Sequence, residues 1–189
     1  MNNKLFWTSL FVGTFVVIEP KVWAQEPVPS IPMDVMVHID DIHVTGRAGD
    51  LPDNPDVYAI IVIQCTNGKR CWAVTDVVTT GICTHPHVSS TLLCKDCMIP
   101  ANVWVQVWDQ DGFLRDGDDI MNAPVGLEIC TPLTMGGAGW LLIPPGPHAT
   151  TSISWVCVPD STGEEEAVKR GWRLLPSQGV IQGKLEKIR

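Results

Sequence analysis

The sequence predicts an all-β fold, an antiparallel β-sandwich of about eight strands stabilised by disulfides. Three observations carry this reading. Apolar residues recur at a period of two in several short segments. Clusters of Gly, Pro, Asn and Asp separate those segments. No stretch has the 3.6-residue periodicity of a long amphipathic helix.

Taken in order, residues 1–24 read as a secretory signal peptide. Lys4 precedes an apolar run from Leu5 to Ile18, and cleavage is expected after Ala24 in Val22-Trp23-Ala24-Gln25. Residues 25–32 form a proline-spaced linker. The sandwich is expected over 33–159 and a charged tail over 160–189. Val35, Val37 and Ile39, then Ile42 and Val44 after a shift in phase, mark a first strand, and the turn-rich Gly46 to Pro55 ends it. The run from Val57 to Ile63 is short and almost wholly apolar, as in a strand buried on both faces. Asn67-Gly68 turns it into a hairpin with Cys71 to Val74. Thr79 to Pro100 predicts a loop or a short strand held by disulfides. Val103 to Trp108 is an alternating strand, and an apolar stretch follows near Val125 to Ile129. Trp140 to Ile143 suits a short strand or an exposed apolar loop, and Ser152 to Val158 a final strand. Glu164-Glu165-Glu166 opens a tail that suits a short helix or a mobile segment. Trp72, Trp104, Trp108 and Trp155 lie on strands and are expected in the core.

Removing Lys4, Lys21 and Glu19 leaves 11 basic and 20 acidic residues and takes the formal charge from −8 to −9. Phosphate backbones need a basic footprint, so this balance argues against nucleic acid. Past the signal, no apolar run is long enough to span a bilayer as a helix. The expected location is secreted, extracellular or periplasmic. In that setting Cys65, Cys71, Cys83, Cys94, Cys97, Cys130 and Cys157 read as disulfides, and the odd count leaves one thiol over. Cys65 and Cys71 flank the Asn67-Gly68 turn and are candidates to face each other across it.

The chemistry concentrates where the strand Val103 to Trp108 runs into acids. Asp109, Asp111, Asp116, Asp118 and Asp119 follow within eleven positions, with Gly112 and Gly117 among them. Like charges so close repel unless a cation or solvent screens them. Calcium suits such a loop because it is hard and accepts six to eight oxygens in irregular geometry. An EF-hand is excluded, since aligning Gly112 with that loop's glycine puts Val107 at the first ligand position.

Two stretches together resemble the C2 domain, the calcium-dependent lipid-binding β-sandwich, and most closely the type found in perforin-like proteins. One is Asp53-Asn54-Pro55-Asp56-Val57-Tyr58, similar to the family's aspartate that opens a strand. The other is Val105-Gln106-Val107-Trp108-Asp109-Gln110-Asp111 with Asp116, Asp118, Asp119 and Ile120, which looks like the third calcium loop. The resemblance spans roughly Met33 to Val158. It implies Asp56, with Asp50 or Asp53, as first-loop ligands and Asp109 and Asp111 as paired third-loop ligands. The last ligand falls to Asp116, Asp118 or Asp119. Calcium is the implied cofactor, and an anionic phospholipid membrane surface or a protein the implied partner. Phe113 and Leu114, at the loop tip, are candidates for membrane contact. Val57 replaces the family's usual proline, and the cysteine-rich middle is atypical.

Two other classes stand beside this one. A disulfide-stabilised sandwich that binds no ion would serve as a structural or interaction module. A metal-dependent hydrolase comes third: metal-bound water would serve it, but no general base and no nucleophile motif is evident. Cys83, His85, His87, Cys94 and Cys97 have the residue types of a zinc site, a reading that competes with disulfides.

Overall fold

The computed structural model describes residues 31–46, 54–110, 118–123, 125–131 and 137–176, and the backbone of 179–180. In chain order the elements are β1 (Pro32–Val44), β2 (Asp56–Cys65), β3 (Arg70–Val74), β4 (Val78–Thr79), β5 (Thr91–Met98), β6 (Ala101–Asp109), β7 (Asp119–Ile120), β8 (Leu127–Ile129), β9 (Ala138–Ile143), β10 (Ala149–Pro159), α1 (Gly163–Arg170) and β11 (Gly179–Val180). The strands form two sheets. One runs β5-β1-β10-β9; the other runs β11-β3-β2-β6-β7, with β4 also on β2 and β8 also on β6. The expected antiparallel sandwich is the fold observed.

Alternation decides which side chains meet between the sheets. Along β6 the row Ala101, Val103, Val105, Val107 faces inward at no more than 1% exposure, and each buried valine is worth about 1.5–3 kcal/mol of removal from water. In β1 the phase shift is a bulge between Ile39 and Asp41, which returns Ile42 and Val44 to the core. The β2–β3 turn places Gly68 at φ +81°, where a side chain would be strained, and Asn67 Oδ1 accepts from the Lys69 N–H at 3.2 Å.

Four expectations need correction. Trp72, Trp104 and Trp108 are half-buried rather than core residues, because smaller neighbours take the inward positions, Cys71 and Ala73 in β3 and Val103, Val105 and Val107 in β6; of these four tryptophans only Trp155 joins the core. The segment expected as a loop or short strand contains β5, eight residues long. Cys65 and Cys71 do not face each other, since Cys71 pairs in register with Ile63. The zinc reading falls as well, because Cys94 and Cys97 are each in a disulfide and buried while Cys83 is exposed.

The disulfides are Cys65–Cys97, Cys71–Cys94 and Cys130–Cys157, with Cys83 the free thiol. The first two tie β2 and β3 of one sheet to β5 of the other. All three lie at the same end of the sandwich. Cys65 stands opposite Ala101 at the start of β6, Ile129 stands opposite that same Ala101, and Cys94 and Cys157 both stand opposite Val35 near the start of β1.

Past β10 the chain returns over the outer face of the first sheet. The Asp34 carboxylate, fully buried, accepts from the Gly163 N–H at 2.9 Å and so meets the first turn of α1. Glu164, Glu165 and Glu166 in that turn and Lys169 and Arg170 in the last complement the helix dipole, and Gly171 at φ +68° ends it. Ala167 packs against Met36 and Val156, and the Trp172 ring stacks on His38 at 4.7 Å.

Candidate metal site at the acidic end

The end of the sandwich away from the disulfides gathers the acids. β2 opens with Asp56 and β6 closes with Asp109, and because the two strands are antiparallel neighbours with Val57 opposite Asp109, both acids reach the same edge. Asp109 continues the inward row of valines and is 7% exposed. Its Oδ1 accepts from the Asp56 backbone N–H at 2.8 Å, and the Gln110 N–H returns a bond of 2.8 Å to the Asp56 carbonyl. The Asp56 carboxylate accepts from the hydroxyl of Thr79 on β4.

β7 brings two more carboxylates. Asp119 stands directly opposite Asp109 in the β6–β7 ladder, and cross-strand partners project to the same face, so two like charges sit side by side. Asp118, just before β7, accepts from the Tyr58 hydroxyl at 2.6 Å. Burial first, then the hydrogen bond to Asp118 and its negative charge, push the Tyr58 phenol well above its usual range. Among the described residues, no lysine or arginine forms an ion pair with Asp56, Asp118 or Asp119.

Of the acids the sequence nominates, Asp56, Asp109, Asp118 and Asp119 thus come together. Asp50, Asp53, Asp111 and Asp116, and the membrane-contact candidates Phe113 and Leu114, lie outside the described residues. Tyr58 and Thr79 were missed as site residues. Tyr58 stands within the quoted Asp56-Val57-Tyr58 motif, but nothing in sequence announces a bond to a residue sixty positions away.

The donor chemistry suits a hard cation, since every group here offers oxygen. The geometry is partial. Among the described residues no three carboxylates bring one oxygen each within 4.8 Å of one another, and the one trio that meets that distance is Cys65, Cys94 and Cys97, whose sulfurs are committed to disulfides.

A separate cleft of about 260 Å³ is lined by polar residues, Asp40, Asp41, His85, His87 and Ser89, together with apolar ones such as Ile42 and Val88. His85 Nδ1 lies 2.9–3.0 Å from both Asp41 carboxylate oxygens, and the His43 ring stacks on it at 4.4 Å.

No family model and no curated protein matches this chain. Solved structures do. Human GIVD cytosolic phospholipase A2 aligns with a TM-score of 0.50 at 18% identity, over 70% of this chain and 18% of the phospholipase. A structure described as a C2 domain aligns at 0.46 and 14% identity, over 66% of this chain and 98% of that one. A C2 domain of plant Extended Synaptotagmin 1 aligns at 0.49 and 13%, over 69% and 98%. The phospholipase alignment carries a likeness of fold over 70% of this chain. At these identities the likeness concerns the fold alone, and the chain spans less than a fifth of the length of the human phospholipase. Among the described residues, no helix is long and apolar enough to cross a membrane.

Proposed function

We propose that this chain is an exported, calcium-binding C2-like module that docks reversibly on an anionic phospholipid surface through its acidic end. The observation that carries the reading is the Asp109 and Asp119 pair, held opposite each other on the β6–β7 ladder with Asp56 bonded beside it. Like charges directly opposite in a sheet are destabilising, and a divalent cation turns that cost into a ligand set. Asp111 and Asp116, with Asp50 or Asp53, would complete the oxygens. Bound calcium reverses the local sign, so an acidic end that repels anionic lipid becomes one whose cation lipid phosphate can ligate. Phe113 and Leu114 would then enter the headgroup layer. Kinship with the perforin-like type belongs to the same proposal and rests on the two sequence motifs.

A structure of the similar human phospholipase contains terbium chloride, and terbium is a hard, luminescent cation that aromatic side chains sensitise. Tyr58 and Trp108 are cross-strand partners beside the acids. Terbium titration should therefore give sensitised emission that calcium competes away, and Asp109→Asn should lose it. Calcium calorimetry should give weak binding, on the order of 10⁻⁴–10⁻³ M, tightened by anionic vesicles. Binding of calcium without vesicles of any composition would remove the lipid role. Binding of neither favours the second reading, an ion-independent interaction module.

A further inference from the structure

The first sheet has two edges, and they are built differently. At β5 the edge is defended: Lys95 and Asp96 are exposed on the strand, Asp96 takes φ +49°, Lys95 pairs with Glu164 of α1 at 2.7 Å, and the Leu175 N–H donates to the Thr91 carbonyl as the chain passes alongside. Charge, irregular backbone and a covering segment are the usual means of stopping a sheet from adding a strand. At β9 none of them is present among the described residues. Its sequence Ala138-Gly139-Trp140-Leu141-Leu142-Ile143 contains neither charge nor proline, and among the described residues it is hydrogen-bonded on one side only, to β10.

The side chains of that edge are unusual too. Trp140 is 60% and Leu142 55% exposed, two residues apart and therefore on one face of the strand. Their neighbours on β10 are Ser154 and Ser152, too small to cover them. Leu141 between them points the other way, onto the core.

We propose that β9 is a self-association edge, on which a second copy of this chain adds its own β9 antiparallel about a two-fold axis through Leu141. In that register Trp140 stands opposite Leu142 of the second copy, and Leu142 opposite its Trp140. One symmetric pairing thus covers both exposed apolar residues of both chains. The contact is isologous and closes as a dimer, joining the two four-stranded sheets into one of eight strands. Aromatic and aliphatic partners directly across a strand pair are a favourable combination. The charge pattern selects the same edge. A chain of net charge −8 repels its copy over most approaches, whereas this strand carries no charge. Asp40 of β1 is turned toward Ser154, whose hydroxyl donates to it at 2.8–3.0 Å.

The test uses the full chain, expressed for export and purified as processed. Analytical ultracentrifugation should find a monomer–dimer equilibrium that tightens as salt rises above about 0.15 M, because screening weakens the net repulsion. Amide exchange over 138–143 should slow with protein concentration. Leu142→Lys should weaken the dimer roughly tenfold or more and remove that dependence. Val168→Lys, at an exposed site on α1 (78%), should change neither. Both sites are exposed, and a thermal melt confirms that each variant folds. A monomer at every concentration, or a dimer indifferent to Leu142→Lys, overturns the proposal. So does a monomer whose β9 amides are protected at every concentration, which would place another segment of the same chain on this edge.

Discussion

The Asp109 carboxylate accepts a hydrogen bond from the Asp56 backbone N–H across 53 residues of sequence, fastening the start of β2 to the end of β6. Asp109 also stands opposite Asp119 in the β6–β7 ladder, so one residue belongs both to the fastening of the sheet and to the candidate cation site. Substitutions separate the two roles. Asp109→Asn keeps an oxygen acceptor and relieves repulsion, so unfolding free energy should hold or rise while calcium binding is lost. Asp109→Ala leaves the Asp56 N–H unmet and should cost about 1–3 kcal/mol in denaturant unfolding. Equal stability of the two variants would contradict the fastening role.

Tyr58 is the one tyrosine of the chain, so its ionisation can be followed directly by ultraviolet absorbance. Its folded pKa is raised, chiefly by burial and then by Asp118. A raised pKa contributes stability that is present below the unfolded value of about 10 and is lost as pH climbs beyond it. The native phenol should therefore titrate later than the unfolded one, and Tyr58→Phe should flatten the loss of stability above about pH 10. A cation at Asp118 would offset that residue's charge, so calcium should move the titration back down. A titration identical with and without saturating calcium would exclude Asp118 from the ion's surroundings.

His38 behaves in the opposite sense. Burial lowers its pKa, with Asp40 opposing, and its Nδ1 lies 2.7 Å from the Thr91 hydroxyl under the stacked Trp172 ring. A lowered histidine pKa means stability that is complete above the unfolded value of about 6.5 and is lost as pH falls toward the folded one. The wild-type chain should lose stability between neutral and mildly acid pH, and His38→Gln should lose less. The His38 proton resonance in a pH series checks the direction; a midpoint above 6.5 would refute it.

The disulfides close separations of 32, 23 and 27 residues, each worth roughly 3.5 kcal/mol by loop closure. Thiol titration of the native chain should count one reactive group, Cys83. Cys83→Ser should leave stability within about 0.5 kcal/mol, whereas full reduction should lower the denaturation midpoint sharply. Seven reduced thiols with stoichiometric zinc in the native protein would restore the metal reading of the cysteines.

What could be read in the sequence depended on whether a strand keeps a clean period. β6 was legible because Val103, Val105 and Val107 alternate with larger or polar partners, and the bulge in β1 showed as a slip in the same rhythm. β5 was not, because Lys95 and Asp96 are both exposed between buried Cys94 and Cys97, so the alternation fails where Asp96 leaves the β region. The tryptophans were assigned by hydrophobicity, yet in β6 their smaller neighbours hold the inward row. At the site, the acids were visible as composition, and antiparallel neighbours β2 and β6 brought Asp56 to Asp109. The cross-strand position of Asp119, the Tyr58 to Asp118 bond and the cysteine pairing are facts of register and inter-sheet contact, which no local pattern encodes.

The three disulfides share one end of the sandwich and the acids occupy the other, a separation that makes the molecule modular. The loops between β1 and β2 and between β6 and β7 can be lengthened, shortened or exchanged without moving a cysteine or breaking its pairing. Loop length costs little once the flanking strands are fixed, about 0.6 kcal/mol for each doubling. The frame is thus a graft-tolerant scaffold, on which new recognition loops could be installed while oxidative folding proceeds as before.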